Sequence, residues 1–150
     1  MDNRWIAKQE IQEVLGAYAH YADTRQPEKQ AALFAPDFLV AVYVTKAGET
    51  PVQSITTYSE LLEGFRALKQ YEQTFHFNGQ SIIEVAESGE EASGETYNLA
   101  HHIQTVDSER QMMVMAIRYQ DRFIKKEGNW LFQERHLYIQ WQDTRSLNEE

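Results

Sequence analysis

The chain has 150 residues, of which 42% are hydrophobic and 12% aromatic, so it can bury one core and we expect a single domain over residues 1–150. Its 23 acidic against 14 basic residues give a formal net charge of -9, which disfavours nucleic acid and anionic membranes as partners. The absence of cysteine excludes disulfides and thiol nucleophiles. Because the sequence shows neither a signal-peptide pattern nor an apolar run of about 18 residues, we expect a cytoplasmic protein.

The first half of the chain is predicted to form three helices. Apolar residues at three- and four-residue steps predict an amphipathic helix over residues 5–22. Pro27 has a fixed φ that suits a first helical turn, so a short second helix is expected to begin there and to end at Pro36. Thr57 followed by Glu60 is a capping-box pattern, which predicts the start of a third helix.

Strand patterns occupy most of the remaining chain. The β-branched and aromatic residues of Phe38–Val44 predict a strand, and a turn at 46–49 leads to a weaker strand at 51–55. Four long strands separated by polar turns are expected at 73–86, 91–105, 111–125 and 129–141. Helices followed by a meander of strands predict an α+β fold, with N-terminal helices packed over a curved, mixed or antiparallel sheet.

The first long strand carries a polar face. Because side chains alternate along a strand, Thr74, His76 and Asn78 point one way while Phe75 and Phe77 point the other way. If the polar face is solvated, the histidine has no special role. If it lies on the concave side beneath the helices, the imidazole is placed as a general base would be.

Other candidate residues have both structural and functional interpretations. Asp23 ends the first helix, where the macrodipole disfavours a carboxylate, so it either caps the next helix or is held by another group. His101 and His102 are adjacent in one strand and project to opposite faces, so they cannot bind one metal together. Dinucleotide, P-loop, serine-hydrolase and zincin motifs are absent, which leaves elimination, isomerisation or plain binding, with no cofactor and no metal expected.

Four stretches together resemble a known family. Ile11–Asp23 and Leu33–Phe38 resemble the opening of SnoaL-like proteins of the nuclear transport factor 2-like superfamily. Tyr119–Phe123, and Gly128–Phe132 with Glu134 and Arg135, resemble their close. The resemblance covers nearly the whole chain and implies a cone-shaped α+β barrel that encloses a pocket. It is nearest to the scytalone dehydratase and dehydrochlorinase-like branch. The superfamily also includes isomerases, polyketide cyclases and non-catalytic binders, so the resemblance does not define a substrate.

The same branch provides expectations for individual residues. In it, an aspartate that ends the first helix pairs with a strand histidine, and Asp23 and His76 occupy those positions. His101 matches a second pocket histidine of the dehydratase. The resemblance therefore implies catalytic roles for Asp23, His76 and His101. The expected substrate-binding residues are polar or aromatic: Tyr21, Tyr43, Asn78, Tyr97 and Tyr119.

Three positions depart from the dehydratase pattern. Ala22 stands where that enzyme has a tyrosine, and Tyr21 lies one residue earlier. Val42 stands where it has its second catalytic tyrosine, so Tyr43 can replace that residue only if a bulge shifts the register. Tyr119 replaces a pocket asparagine. Scytalone itself is therefore not the expected substrate.

These observations favour a cofactor-independent lyase or isomerase acting on a small, cyclic, largely apolar molecule. His76 would remove a proton from carbon, and Asp23 would fix the imidazole tautomer. The alternative is a non-catalytic small-ligand-binding or accessory protein, which a wide separation of Asp23 and His76 would favour. Phe75 and Phe77 on the outer face would suit a homodimer interface.

Overall fold

The computed structural model describes residues 3–45 and 48–148. The helices of these residues are α1 Arg4–Asp23, α2 Pro27–Ala31 and α3 Tyr58–Arg66, the last continued by a 3₁₀ turn at Ala67–Gln70. The strands are β1 Phe34–Val44, β2 Gln53–Ile55, β3 Gln73–Val85, β4 Glu91–Val106, β5 Glu109–Lys126 and β6 Asn129–Ser146. Within the described ranges, no helix combines the length and the apolar character of a membrane span.

The strands form one six-stranded sheet in the order β2-β1-β6-β5-β4-β3. All neighbours are antiparallel except β1 and β6, which run parallel, so the sheet is mixed. The predicted α+β class, with helices packed over a mixed sheet, is confirmed, and the sheet is open with β2 and β3 at its edges. In the predicted turn at 46–49, Lys46 and Ala47 lie outside the described residues.

Helix α1 packs its apolar stripe on the concave side of the sheet, as its periodicity predicts. The buried residues of this stripe include Ile11, Leu15 and Tyr18. The Tyr18 ring meets the rings of Phe34, Phe65, Tyr119 and Phe132 at centroid distances of 5.6–6.2 Å. Such aromatic pairs add about 0.5–1.5 kcal/mol each to the free energy of area burial. These contacts fix the position of α1 over the sheet.

The second helix ends earlier than the sequence predicts. Residues from Phe34 to Pro36 belong to β1, because the backbone N–H of Phe132 donates to the carbonyl of Leu33 at 2.9 Å and Phe34 pairs with Phe132 across the strands. The Phe34 and Phe132 rings then pack in a tilted arrangement with centroids 5.0 Å apart. This long-range strand pairing outweighs the local helical preference of the segment.

A buried ion pair lies beneath α1. Arg135 and Asp121 are opposite each other on β6 and β5, with Nε and Oδ1 3.2 Å apart and side chains that are 1% and 0% exposed. The guanidinium carbon lies 3.5 Å from the ring centroid of Tyr119 and 4.1 Å from that of Tyr18. Burial raises the pKa of Asp121 to about 6 despite the neighbouring cation. The pair thus carries charge into the core and holds two tyrosines by cation–π contact.

Candidate active site

A bulge in β3 determines which side chains face α1. Between Asn78 and Ser81 the pairing with β4 shifts by one residue, and Gly79 lies at the shift. On one side of the bulge Ser81 faces inward, and on the other side His76 and Asn78 do so. Phe77 projects outward and is 59% exposed. The polar face predicted for this strand is therefore the concave face covered by α1.

Asp23 and His76 are hydrogen-bonded on this concave face. Asp23 is the last residue of α1, and its Oδ1 lies 2.7 Å from Nδ1 of His76. The backbone N–H of His76 donates to Oδ2 at 2.9 Å, and the Thr74 hydroxyl donates to Oδ1 at 3.1 Å. The aspartate is thus held by three donors from one strand, which offsets its unfavourable place at a helix C-terminus.

The environment keeps Asp23 ionised and sets the orientation of the histidine ring. Burial alone would raise the pKa of Asp23, but the hydrogen bonds from His76 and Thr74 outweigh this effect and hold it below its usual value of 3.8. An ionised carboxylate accepts only, so Nδ1 of His76 carries the proton, and in the neutral ring Nε2 then holds the lone pair. No described residue hydrogen-bonds Nε2, and Nε2 is not sealed from solvent. This nitrogen is free to accept a proton from a bound molecule.

The expectation that His101 shares a pocket with His76 is wrong. Its ring lies on the outer face, with Nδ1 3.0 Å from the carbonyl oxygen of Phe75. His102, only 3% exposed, occupies the concave face, and its ring centroid is 5.9 Å from that of His76. The bulge causes this difference. If the register at the β3–β4 turn, where Val85 pairs with Ala92, continued without a shift, His76 would lie opposite His101. The one-residue shift places His76 opposite Ala100 instead.

His102 is a site residue that the sequence comparison missed. Burial, together with the nearby His76, lowers the pKa of His102 to about 4, so the ring is neutral near pH 7. Its Nδ1 is buried and has no hydrogen-bond partner among the described residues. Tyr71 covers the other side of the ring at a centroid distance of 4.6 Å. The alternation of β4 could have indicated His102, had the register with β3 been known.

The predicted binding residues divide between the two faces of the sheet. Asn78 lies on the concave face, where Nδ2 donates to the carbonyl of Leu15 and Oδ1 accepts from Asn98 Nδ2 at 2.8 Å. Tyr119 also lies there, fully buried, and burial raises its pKa far above 10. Tyr21 is half-buried on α1, with its ring beside that of His20. Only Asn78 and Tyr119 therefore share the face of His76 by strand position.

Tyr43 and Tyr97 lie on the outer face, so their expected pocket positions are wrong. Pairing of β1 with β6 is continuous from Leu39 to Val44, so no bulge turns Tyr43 inward. Its ring stacks on Tyr138 with centroids 4.4 Å apart. Tyr97 is 38% exposed and lies beneath the guanidinium of Arg118.

The concave surface beside the histidines is apolar. Register places Met113 beside His102, and Met115 beside Ala100, on this face. Met115 and Leu137 are half-buried and pack against the core cluster. The site is largely covered, since the side chains of His76 and Asp23 are only 10% and 22% exposed.

Comparisons with known proteins agree with this architecture. A family model described as a SnoaL-like domain matches residues 4–136. A candidate scytalone dehydratase from Novosphingobium aromaticivorans is similar in structure, with a TM-score of 0.81, 23% identity and coverage of 99% of this chain and 93% of that one. No curated protein matches significantly.

Two further solved structures have the same fold. One is the hexachlorocyclohexane dehydrochlorinase LinA-type3 from Novosphingobium barchaimii, with a TM-score of 0.75, 15% identity and coverage of 99% of this chain and 94% of that one. The other is the β subunit of a candidate aromatic-ring-hydroxylating dioxygenase from Novosphingobium aromaticivorans, with a TM-score of 0.76, 22% identity and 93% coverage of both chains. At these identities the similarity establishes the fold alone.

Proposed function

The chain belongs to the SnoaL-like domain family, and we propose that it is a cofactor-independent lyase, dehydratase-like or dehydrochlorinase-like, with an Asp23–His76 dyad. The observation that carries this proposal is the 2.7 Å hydrogen bond between Asp23 Oδ1 and His76 Nδ1, which leaves Nε2 unpaired on the concave face. A carboxylate that orients an imidazole in this way is the arrangement of a general base. Two of the similar solved structures are named for loss of water and loss of hydrogen chloride, which supports a lyase.

The proposed reaction is a β-elimination. Nε2 of His76 takes a proton from a carbon of the substrate, and the electron pair of the broken C–H bond forms the new double bond. The leaving group departs from the adjacent carbon with its own bonding electrons. Asp23 stabilises the imidazolium that forms, since its negative charge lies directly against Nδ1–H. Returning the proton to another carbon of the same molecule would give an isomerisation instead.

His102 is proposed to take the role that the family resemblance implied for His101. Because its pKa is lowered to about 4, it stays neutral beside His76 and does not repel the imidazolium that His76 becomes. A neutral ring can direct either a proton or a lone pair towards a polar group of the substrate. Tyr119, whose pKa is raised by burial, stays protonated across the working pH range and is a second hydrogen-bond donor candidate on this face.

The substrate class follows from the surface beside the dyad. Met113 opposite His102, and Met115 opposite Ala100, provide adaptable apolar contacts on the face that carries the two histidines. A surface with a few polar groups among apolar side chains fits a small cyclic molecule that carries one or two polar or halogen substituents. A long polar or highly charged substrate would leave its groups without partners there.

The test is an elimination assay on matched proteins. Wild type, His76→Ala and Asp23→Asn are incubated with a panel of cyclic alcohols, cyclic hydroxyketones and halogenated cyclohexanes, and the unsaturated products are detected by mass spectrometry. We expect turnover of at least one compound by wild type and a loss of about 10²–10⁴-fold in His76→Ala. Equal turnover in wild type and His76→Ala would contradict the proposed base.

A homodimer through the outer face is proposed as well. SnoaL-like proteins often form dimers, and here an apolar row crosses four strands through the register partners Phe77, Leu99, Ala116 and Trp141. Phe77 is 59% and Trp141 56% exposed, and the row borders a groove of about 610 Å³. Exposed apolar patches of this kind mark interaction surfaces.

Light scattering on matched variants tests the dimer. Phe77→Glu should convert the wild-type dimer into a monomer, because the carboxylate would be buried without a partner. Trp5→Glu is the control, since Trp5 is equally exposed, at 62%, but lies on α1. A wild-type monomer, or a dimer that persists in Phe77→Glu, would contradict this assignment. An accessory role without catalysis would be favoured by a dimer that shows no turnover of any compound.

A further inference from the structure

Arg25 joins the end of α1 to the start of β3. Its Nη1 donates to the carbonyl of Ala22 at 2.8 Å and to the Thr74 hydroxyl at 2.7 Å, and Nη2 lies 3.5 Å from the carbonyl of Tyr71. Arg25 adopts a φ of 57°, a left-handed conformation that non-glycine residues adopt uncommonly. The turn after Asp23 is therefore held in a costly conformation that directs a fork of donors towards β3.

The direction of the hydrogen bond between Arg25 and Thr74 determines what Thr74 can do. A guanidinium only donates, so the Thr74 oxygen must accept from Arg25. The hydroxyl has a single proton, and that proton is left for Oδ1 of Asp23, 3.1 Å away. Thr74 is 3% exposed, so water does not compete for either bond. The chain of bonds runs in one direction, from Arg25 through Thr74 to Asp23.

We propose that Arg25 and Thr74 are positioning residues for the candidate base: Arg25 orients the Thr74 hydroxyl, and that hydroxyl keeps the Asp23 carboxylate aligned with Nδ1 of His76. Thr74 contacts the oxygen of Asp23 that meets Nδ1 of His76, whereas the proposed substrate would bind at Nε2. The other titratable groups near Asp23 include His76 on β3, whose ring meets that of His102 on β4, and Tyr119 on β5, whose pKa is raised in part by the Asp23 charge. This inference rests on the proposed function only for its catalytic consequence, because the hydrogen bonds exist without substrate.

The first test measures Asp23 in the ligand-free protein. Carbon-13 NMR of the carboxyl group follows the titration of Asp23 in wild type, Thr74→Val and Thr74→Ser. In Thr74→Val we expect the pKa of Asp23 to rise, since a donor that stabilises its charge is lost. Thr74→Ser keeps the hydroxyl and should restore the wild-type titration. An unchanged titration in Thr74→Val would overturn the inference.

A double-mutant cycle tests whether Arg25 acts through Thr74. Arg25→Gln should raise the pKa of Asp23 in the wild-type background, because the Thr74 proton is then free to turn away. In the Thr74→Val background the same substitution should have much less effect, since the hydroxyl it orients is gone. Equal shifts in both backgrounds would show that Arg25 acts on Asp23 independently, which contradicts the proposed order of bonds.

Turnover measurements separate this inference from the lyase proposal. If a substrate is found, Thr74→Val and Arg25→Gln should lower kcat on the order of tenfold, as expected for loss of one hydrogen bond to a charged group, with KM unchanged. Thr74→Ser should retain kcat. If wild type eliminates nothing, the lyase proposal fails while the NMR titrations still decide the positioning role. A raised KM with unchanged kcat would overturn the catalytic consequence drawn here.

Discussion

Replacing Arg135 with methionine should destabilise the fold in a manner that depends strongly on pH. The substitution keeps an unbranched side chain but removes the cation from Asp121, whose side chain is 0% exposed. Loss of one partner of a buried ion pair costs about 3–5 kcal/mol, because the remaining charge is unpaired in the core. We expect a loss of this size at pH 8, measured as the free energy of unfolding in urea.

Protonation of Asp121 should recover much of that loss at pH 5. In wild type the pKa of Asp121 is raised to about 6 with Arg135 beside it, and removal of the cation raises it further. When the pKa of a group is higher in the folded state than in the unfolded state, lowering the pH stabilises the fold. Between the two pKa values the gain is about 1.4 kcal/mol per pH unit. Between pH 8 and pH 5 the variant should gain up to about 4 kcal/mol from Asp121, against about 1.4 kcal/mol in wild type.

The double variant Arg135→Met with Asp121→Leu is the control. It removes both charges, so it should regain most of the wild-type stability and lose the extra pH dependence. An equal loss of unfolding free energy at pH 5 and pH 8 in Arg135→Met, or a double variant as unstable as the single one, would refute this role of the ion pair.

Three further outcomes follow from the same structure. Asp23→Asn should be less stable than wild type near pH 7 and should lose less stability in acid, as measured by urea titrations. The lowered pKa of Asp23 stabilises the wild-type fold above pH 3.8, and this contribution is lost as the pH falls through the pKa of the folded state. Thr57→Ala should lose about 1 kcal/mol of unfolding free energy and Thr57→Ser almost none, since the Thr57 hydroxyl caps α3 at the N–H of Glu60. In the elimination assay His102→Ala should lower turnover by at least about tenfold, whereas His101→Ala on the outer face should stay within about twofold of wild type.

Periodicity predicts the parts of the site that lie on regular elements. The apolar stripe of α1 places Asp23 at its end, and the alternation of β3 groups Thr74 with His76 and Asn78 on one face. Neither pattern says that Asp23 meets His76, because that contact joins segments about fifty residues apart. The resemblance to the dehydratase-like branch provides this pairing, and the structure places the two side chains 2.7 Å apart.

The remaining features depend on a one-residue shift or on long-range pairing. The β3 bulge at Gly79 exchanges the faces of His101 and His102 relative to His76, and no propensity in the sequence fixes where a bulge forms. The end of α2 depends on strand pairing with Phe132, almost one hundred residues away. Arg25 has no periodic signal, because it lies in a turn and acts through a left-handed backbone.

Nitrogen-15 NMR of the ligand-free protein tests most directly whether His76 presents a free base on the concave face. With Asp23 ionised and 2.7 Å from Nδ1, the neutral ring should carry its proton on Nδ1, and Nε2 should show the chemical shift of an unprotonated nitrogen. Asp23→Asn should reduce this preference. A neutral His76 with its proton on Nε2 in wild type would contradict the account, since no lone pair would then be available to remove a proton from a substrate.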